Sequence, residues 1–467
     1  MILLILMSIL FCISILFIVK DKFLSIISLI FSIINLLIIS GISSQNTELV
    51  FSYVYNFFKI ENFVDLENYF LQEQPTTFLI IIGLLFVVIF TGEIIWKQYL
   101  SRYFYILSYF VYFMIIMIIS VDSYFWHSLM LEILILPIFF MLMICSNMYK
   151  INYLIKDSYY IVCLSCVYLA GINYLGILSK INGGSIFLTR SELVNMFTDI
   201  TAAQNILFVL LISYYSLKLF LFSRLIGNLH NSKENKHSVL LIMTISSLII
   251  YIVSIHSFFL PLMKNIINEY KNYFIIFGLL ATLISYVNAA LSKSLHKVFE
   301  WHIKAMVLMV LSLVIYMDNI KTLLPLIFNL CLIAFAFYFI LLIINNTDRT
   351  LGLAKARQNK HLLMYFMLYF VFVVTNAPFT LGFYANINVF YNLLIMDKII
   401  ALSFILIQFL GPISLYVAAH KMLRNSREAK LVDSCYFNIN TKFVEYIPMI
   451  IIVGLNILFG FLPEYIE

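Results

Sequence analysis

Glu132 stands in the middle of a long apolar run, WHSLMLEILILPIFFMLMI, with Pro137 five positions further on. Lys218 lies well inside a second such run, ILFVLLISYYSLKLFLFSRLIG. An ionised side chain at the centre of a membrane helix costs about 2.5–3.5 kcal/mol on insertion scales, so such groups are functional candidates. A carboxylate there needs a cation or water, or it takes up a proton. A lysine gives up its proton when desolvated and regains it beside an anion. A Glu and a Lys on neighbouring helices therefore make a pair whose proton occupancy can switch, the simplest element of a proton relay. The same pair can equally be a static bridge that fixes helix packing, and the residues by themselves leave both readings open. Lys304 opens another apolar run and can act internally or reach back to the headgroups. His302, two positions earlier, can pass protons near neutral pH or sit at the interface. Glu93, beside Trp96 and Lys97 at the end of its run, is expected at the interface.

A second polar group is Thr375-Asn376-Ala377-Pro378-Phe379-Thr380-Leu381-Gly382. Proline removes a backbone donor and crowds the preceding turn. With Asn376, Pro378 and Gly382 together, the pattern predicts a broken helix lining a polar cavity; a simple proline kink is the alternative.

The elements that must carry these residues follow from composition. The chain has 467 residues, 63% hydrophobic and 11% charged, with mean hydropathy +1.02. A soluble domain carries about 25% charged residues, so a soluble globular enzyme, a disordered protein and a nucleic-acid binder are excluded. The apolar residues fall in blocks long enough to cross a hydrocarbon core of about 30 Å. Fourteen candidate spans result: 2–19, 23–42, 77–95, 103–121, 124–146, 158–179, 203–223, 238–258, 273–291, 300–317, 320–344, 361–385, 399–420 and 445–463. Period-2 alternation is absent, so the expected fold class is all-α, a polytopic membrane protein.

The 43–76 loop is the longest linker, which leaves no room for a soluble catalytic domain. Within it, 56–71 reads as an interfacial amphipathic helix or an ordered loop. The first span lacks the features of a signal peptide. Cys163-Leu-Ser-Cys166 has no companion pair and reads as packing, so no metal site is expected. The excess of Phe, Ile, Tyr, Asn and Lys is that of an AT-rich genome, which points to an organelle or an AT-rich microbe.

These motifs, in this order, resemble the antiporter-like membrane subunits of respiratory NADH:ubiquinone oxidoreductase (complex I). Glu132 with Pro137 in span 5 is similar to the family's glutamate and helix break. Lys218 in LKLFLFSRLIGNLH is similar to its lysine in the seventh helix. ALSKSLHKVFEWHIKAMVLM, NAPFTLGFYAN and ILFGFLPEY look like its later motifs. Among the family's chains the resemblance is greatest to chain 2, NADH dehydrogenase subunit 2, in a divergent mitochondrial form; the Pro-x-x-x-Gly-Phe pattern favours it over chain 4. Span 7 lacks the family's proline. Ser246 and Ser247 stand where the family has a central lysine, and Asn386 where chain 2 has lysine and chain 4 glutamate.

The resemblance implies one membrane domain over 1–467. It comprises N-terminal helices 1–42, a first helix repeat 77–223, a second 238–385, forming an antiporter-like inverted-repeat bundle, and C-terminal helices 399–467. It implies a non-redox subunit that couples quinone reduction to proton translocation through Glu132, Lys218, Lys304 and His302. Expected partners are the other membrane subunits of the complex and lipids, without nucleic acid. The expected place is the mitochondrial inner membrane. No catalytic residue and no cofactor are expected in this chain, since it has no glycine-rich phosphate loop and no cysteine set for iron–sulfur clusters. Chain 4 and a freestanding cation/proton antiporter are the alternatives.

The basic residues give the topology. Of 29 Lys and Arg, 20 lie in loops after odd-numbered spans and 7 in loops after even-numbered ones. Basic loops stay on the cytoplasmic or matrix side. Residues 424–430 should therefore face the matrix or cytoplasm, opposite the acidic stretch 48–73 and both termini. Cysteine labelling from each side checks this, and finding 424–430 on the same side as 48–73 would eliminate the fourteen-span topology.

Overall fold

In hydrocarbon a backbone must satisfy its own N–H and C=O groups, and each apolar block does so by coiling into a helix. The computed structural model describes residues 2–20, 23–43, 76–96, 101–121, 123–145, 148–181, 214, 252, 254–256, 260, 264–292, 295–317, 320–347, 369, 377–429 and 446–462. Every regular element among them is helical: α1 (Ile2–Ile18), α2 (Leu24–Ser43), α3 (Thr76–Trp96), α4 (Arg102–Ser120), α5 (Tyr124–Ile133), α6 (Ile135–Cys145), α7 (Met148–Ile181), α8 (Lys264–Leu291), α9 (Leu295–Tyr316), α10 (Leu324–Thr347, after a 3-10 turn Ile320–Leu323), α11 (Leu381–Met396), α12 (Lys398–Ala429) and α13 (Ile447–Phe461). Five of the described helices are long and apolar enough to cross a membrane, and shorter apolar helices accompany them. The protein is an all-α polytopic membrane protein.

Spans 1 to 4 coincide with α1 to α4 to within two residues. Span 5 divides at Leu134 into α5 and α6. Pro137 is the cause: it has no N–H to donate, and its ring crowds the carbonyl four residues back, at Ile133. The α5 ladder accordingly closes on Leu134, whose N–H reaches the Met130 carbonyl at 3.0 Å. Most of spans 7, 8 and 12, with Lys218, Asn376 and the 56–71 segment, lie outside the described residues.

Two compact units are present, Met1–Leu229 with Ser238–Glu269, and His230–His237 with Tyr270–Glu467. In the first, α2 packs on α3, α1 on α4, and α4 on α5 and α6. Arg102 at the start of α4 donates to the carbonyls of Phe17 (2.7 Å) and Val19 (2.9 Å), so it caps the end of α1. In the second, α10 is the core. Leu326 to Ile340 are buried on every side, as for a helix apolar all round. Around α10 pack α9, α11 and α13.

Residues 386–396 were expected in a loop and are helical instead. The chain turns at 377–380 and restarts as α11. The Thr380 Oγ1 accepts from the Phe383 N–H (3.2 Å) and caps the new helix. A helix begun there runs on to Met396 before Asp397, whose carboxyl accepts the Ile399 N–H at 2.8 Å, opens α12. Phe379 in the turn has φ 69°, a conformation uncommon for a residue with a side chain. Its ring stacks on Phe461 of α13 at 5.1 Å. Gly460 of α13 lies directly on the turn backbone: a Cβ there would come 2.5 Å from the Phe379 carbonyl oxygen.

Gly460→Ala should therefore destabilise the chain by about 1–3 kcal/mol, as overpacking does. Gly454→Ala, whose Cβ meets nothing within 4 Å, should be neutral or gain up to about 1 kcal/mol from helix propensity. Thermal unfolding of the two variants in detergent checks the contrast. Equal midpoints would mean that α13 does not hold the turn.

Candidate functional site

The break at Leu134 leaves Glu132 on the last turn of α5, half-buried and pointing into the first unit. Two hydroxyls donate to its carboxyl: Ser165 of α7 to Oε2 and Tyr214 to Oε1. Tyr214 is fully buried and stacks on Tyr168 of α7, with ring centroids 4.0 Å apart and planes at 11°. The Tyr168 hydroxyl in turn lies 3.1 Å from Ser128 Oγ, one turn before Glu132. One carboxyl thus gathers hydroxyls from α7 and from position 214. Each of those hydroxyls can both donate and accept a hydrogen bond.

A buried histidine lies on the same helix. His127 is fully buried, with Nδ1 3.0 Å from the Ile118 carbonyl of α4 and Nε2 2.9 Å from Ser254 Oγ. The carbonyl can only accept, so Nδ1 carries the proton and Nε2 accepts from the serine. Ser128 and Glu132 share one face of α5, and His127 and Leu131 the next, each pair in the i, i+4 relation of helix geometry.

Of the residues expected at a site, Glu132 is thus found within a hydroxyl cluster, and its expected partner Lys218 lies outside the described residues. His127, Ser128, Ser165, Tyr168, Tyr214 and Ser254 were not anticipated. Ser128 had a readable signal, since it stands one turn before Glu132 on the same face. Ser165 sits between Cys163 and Cys166; both thiols are exposed, and only the serine of the three turns inward.

In the second unit, Lys304 donates to Glu300 at 2.6 Å, an i, i+4 pair on its own helix with side chains 24% and 19% exposed. Its Nζ also lies 4.6 Å from the Trp301 ring centroid. His302 points the other way, because residues two apart on a helix do not face each other. It is fully buried between Tyr286 and Phe337, ring centroids 5.1 and 5.5 Å away, and neither ring nitrogen has a hydrogen-bond partner. Beside it runs a neutral chain. The Gln408 amide of α12 donates to Asn386 Oδ1 of α11 (2.9 Å) and to Met309 Sδ of α9 (2.8 Å). Asn386 donates to the Gly382 carbonyl at 2.8 Å. Pro378 lies exposed in the turn and Gly382 is buried in the first turn of α11. Glu93, expected at the interface, is instead 2% exposed, with Tyr105 of α4 beside it.

Among the described residues no group of three or more His, Cys, Asp or Glu could hold a metal ion. No protein-family model matches the chain. No curated protein matches it either. Solved structures do match. A chain of respiratory complex I from Thermus thermophilus with bound NADH superposes with a TM-score of 0.72 at 13% identity, over 99% of this chain and 96% of that one. A chain of the same complex with bound aureothin gives 0.66 at 13% identity, over 99% and 98%. A chain of the Mrp complex from Dietzia sp. DQ12-45-1b gives 0.66 at 11% identity, over 95% of both. At these identities the likeness is one of fold, and the chain has, nearly end to end, the fold of chains in respiratory complex I and in the Mrp complex.

Proposed function

We propose that the chain is an antiporter-like, proton-translocating subunit in the membrane arm of a respiratory NADH:ubiquinone oxidoreductase, most like chain 2. It would be a non-redox subunit of a multi-pass mitochondrial inner-membrane assembly. The observation that carries this reading is an end-to-end fold match that coincides with a carboxyl held by hydroxyls inside the bundle, Glu132 with Ser165 and Tyr214. The helix repeats 77–223 and 238–385 belong to the same proposal.

Glu132 takes and releases the proton in this reading, and Ser165 and Tyr214 orient its carboxyl. Lys218 stands four positions after Tyr214, the spacing that puts two residues on one helix face. Lys218 is thus the cation offered to Glu132, directly or through one or two waters. His302 and Lys304 serve the second unit, with Lys304 in reach of Glu300. A subunit of a cation/proton antiporter is the second reading, and the Mrp fold match favours it. Co-purification with an NADH-oxidising assembly separates the two.

Glu132→Gln and Lys218→Met should each lower proton pumping while leaving NADH oxidation by the isolated redox arm intact. If the two are paired, each single change strands a buried charge, at about 3–5 kcal/mol unless it neutralises. The double variant should therefore lose less than the sum of the singles. Pumping assays on membrane vesicles read this directly. Full pumping in both single variants would leave Glu132 with a packing role only.

A further inference from the structure

The helix α2 is turned inside out. Ile30 and Leu37 face outward, 49% and 63% exposed, whereas Ser28, Ser32 and Asn35 are buried against the neighbouring helices. With Ser25, these polar residues recur at three- and four-residue spacing, a stripe along one face. Opposite them α4 presents Tyr105, Tyr109 and Tyr112, also one per turn and all buried. Ser25 lies against Tyr105. The Tyr109 hydroxyl donates to the Ser28 carbonyl and lies 3.0 Å from Ser32 Oγ. From α1, Ser8 donates to Asn35 Oδ1, and Cys12 lies against Tyr109. Glu93 of α3 interacts with Tyr105 at one end of the stripe. The other end is closed by Tyr112 beside Leu36 and Gly83.

A stripe that merely glued helices together would pair its groups with one another. This one does not. Among the described residues Ser28 Oγ, Asn35 Nδ2, Tyr112 Oη and Glu93 Oε2 are all buried without a hydrogen-bond partner. Buried polar groups are as a rule satisfied by protein or by ordered water. Four orphans spread along one seam, interleaved with paired hydroxyls, are the kind of polar lining that ordered water satisfies. From Ser25 to Asn35 the seam runs about 15 Å along the helix axis, roughly half of a hydrocarbon core of about 30 Å. Its Glu93 end is the end at which Lys20 and Arg102 lie. None of its residues belongs to the Glu132 cluster.

We propose that α1, α2, α3 and α4 enclose a hydrated seam that carries protons from the Lys20–Arg102 end of the bundle toward mid-membrane, with Glu93 as the proton-accepting group at its mouth. Glu93 accepts a proton from water at the mouth and passes it to the first water inside. Each further water releases one proton as it receives one, and no electron moves. The transport role rests on the proton-translocating reading above, whereas the hydration does not.

Two measurements on the full chain, one in lipid nanodiscs and one in the assembled complex in vesicles, test the proposal. Hydroxyl-radical footprinting labels side chains that touch water, so Tyr109 and Tyr112 should be oxidised although bulk solvent does not reach them. Phe328, buried among apolar side chains of the second unit, should stay unlabelled. Ser28→Ala keeps the helix and should reduce the Tyr109 label. In vesicles Glu93→Gln should lose most of the proton uptake, with a footprint like that of the unaltered chain. Tyrosines labelled no faster than Phe328 would overturn the seam, and undiminished uptake in Glu93→Gln would overturn its transport role. The Glu132→Gln and Lys218→Met variants separate the two readings. If those two pump fully while Glu93→Gln does not, the switch fails and the seam stands; the reverse pattern keeps the switch and rejects the transport role of the seam.

Discussion

A polar atom that enters hydrocarbon has no bulk water to turn to, and that penalty organises both units. It puts Tyr109 against the Ser28 carbonyl, His127 between the Ile118 carbonyl and Ser254, and Asn456 3.0 Å from Asn329. None of these pairs is local in sequence, so each fixes how two segments approach. Apolar packing alone would not do so, because a lipid tail is as good a neighbour for Leu or Ile as another helix. The directional polar pairs supply the register that the apolar surfaces cannot.

The same penalty governs where the helices break. At Leu134, two residues after Glu132 and its hydroxyl cluster, the ladder is interrupted by Pro137. At 377–380 the chain turns before α11, and three devices hold the turn: the Thr380 cap, the Phe379–Phe461 stack and the close seat of Gly460. A strained residue such as Phe379 persists only where its surroundings over-determine it. Here a ring and a missing side chain on the same helix do that. Among the described glycines, several sit at tight approaches of this kind. A Cβ on Gly278 would fall 2.2 Å from that of Ser312, at the α8–α9 crossing.

Much of this was legible in the sequence. Hydropathy marks the helices because the bilayer imposes their length and their composition together. Glu132 stands out because a carboxyl in an apolar run is rare, and Pro137 and Pro378 mark the breaks. What surrounds Glu132 was not legible. Ser165 and Tyr214 are ordinary residues of apolar helices, and their meaning comes only from which face they occupy. The α2 stripe was hidden for a related reason. Averaged over a span, four small polar residues barely lower the hydropathy, although their spacing places all of them inside. The misplacement of Glu93 has the same root, since distance from a helix end says nothing of which neighbour the side chain faces. The helix after the 377–380 turn was missed because the polar residues Asn386, Asn388 and Asn392 look like a loop. In fact the Asn386 and Asn392 side chains bond back to carbonyls of their own helix at 2.8 Å.

The second unit shows what replaces charge when a membrane interior keeps its polarity. An ion there needs a counter-ion or water. An amide needs only a donor and an acceptor, and Asn386 and Gln408 provide these for each other across α11 and α12. Such a chain can orient its members but cannot change its charge, because amides neither take up nor release a proton near neutral pH. Lys304, whose charge is already engaged by Glu300 on its own helix, does not alter that. Histidine is the side chain whose ordinary titration falls in that range, and His302 is buried with both ring nitrogens unpartnered. By the rule that an ion needs a counter-ion, His302 has none among the described residues to hold it as a cation, so the interior of this unit is polar without being charged, and the amides of Asn386 and Gln408 supply that polarity.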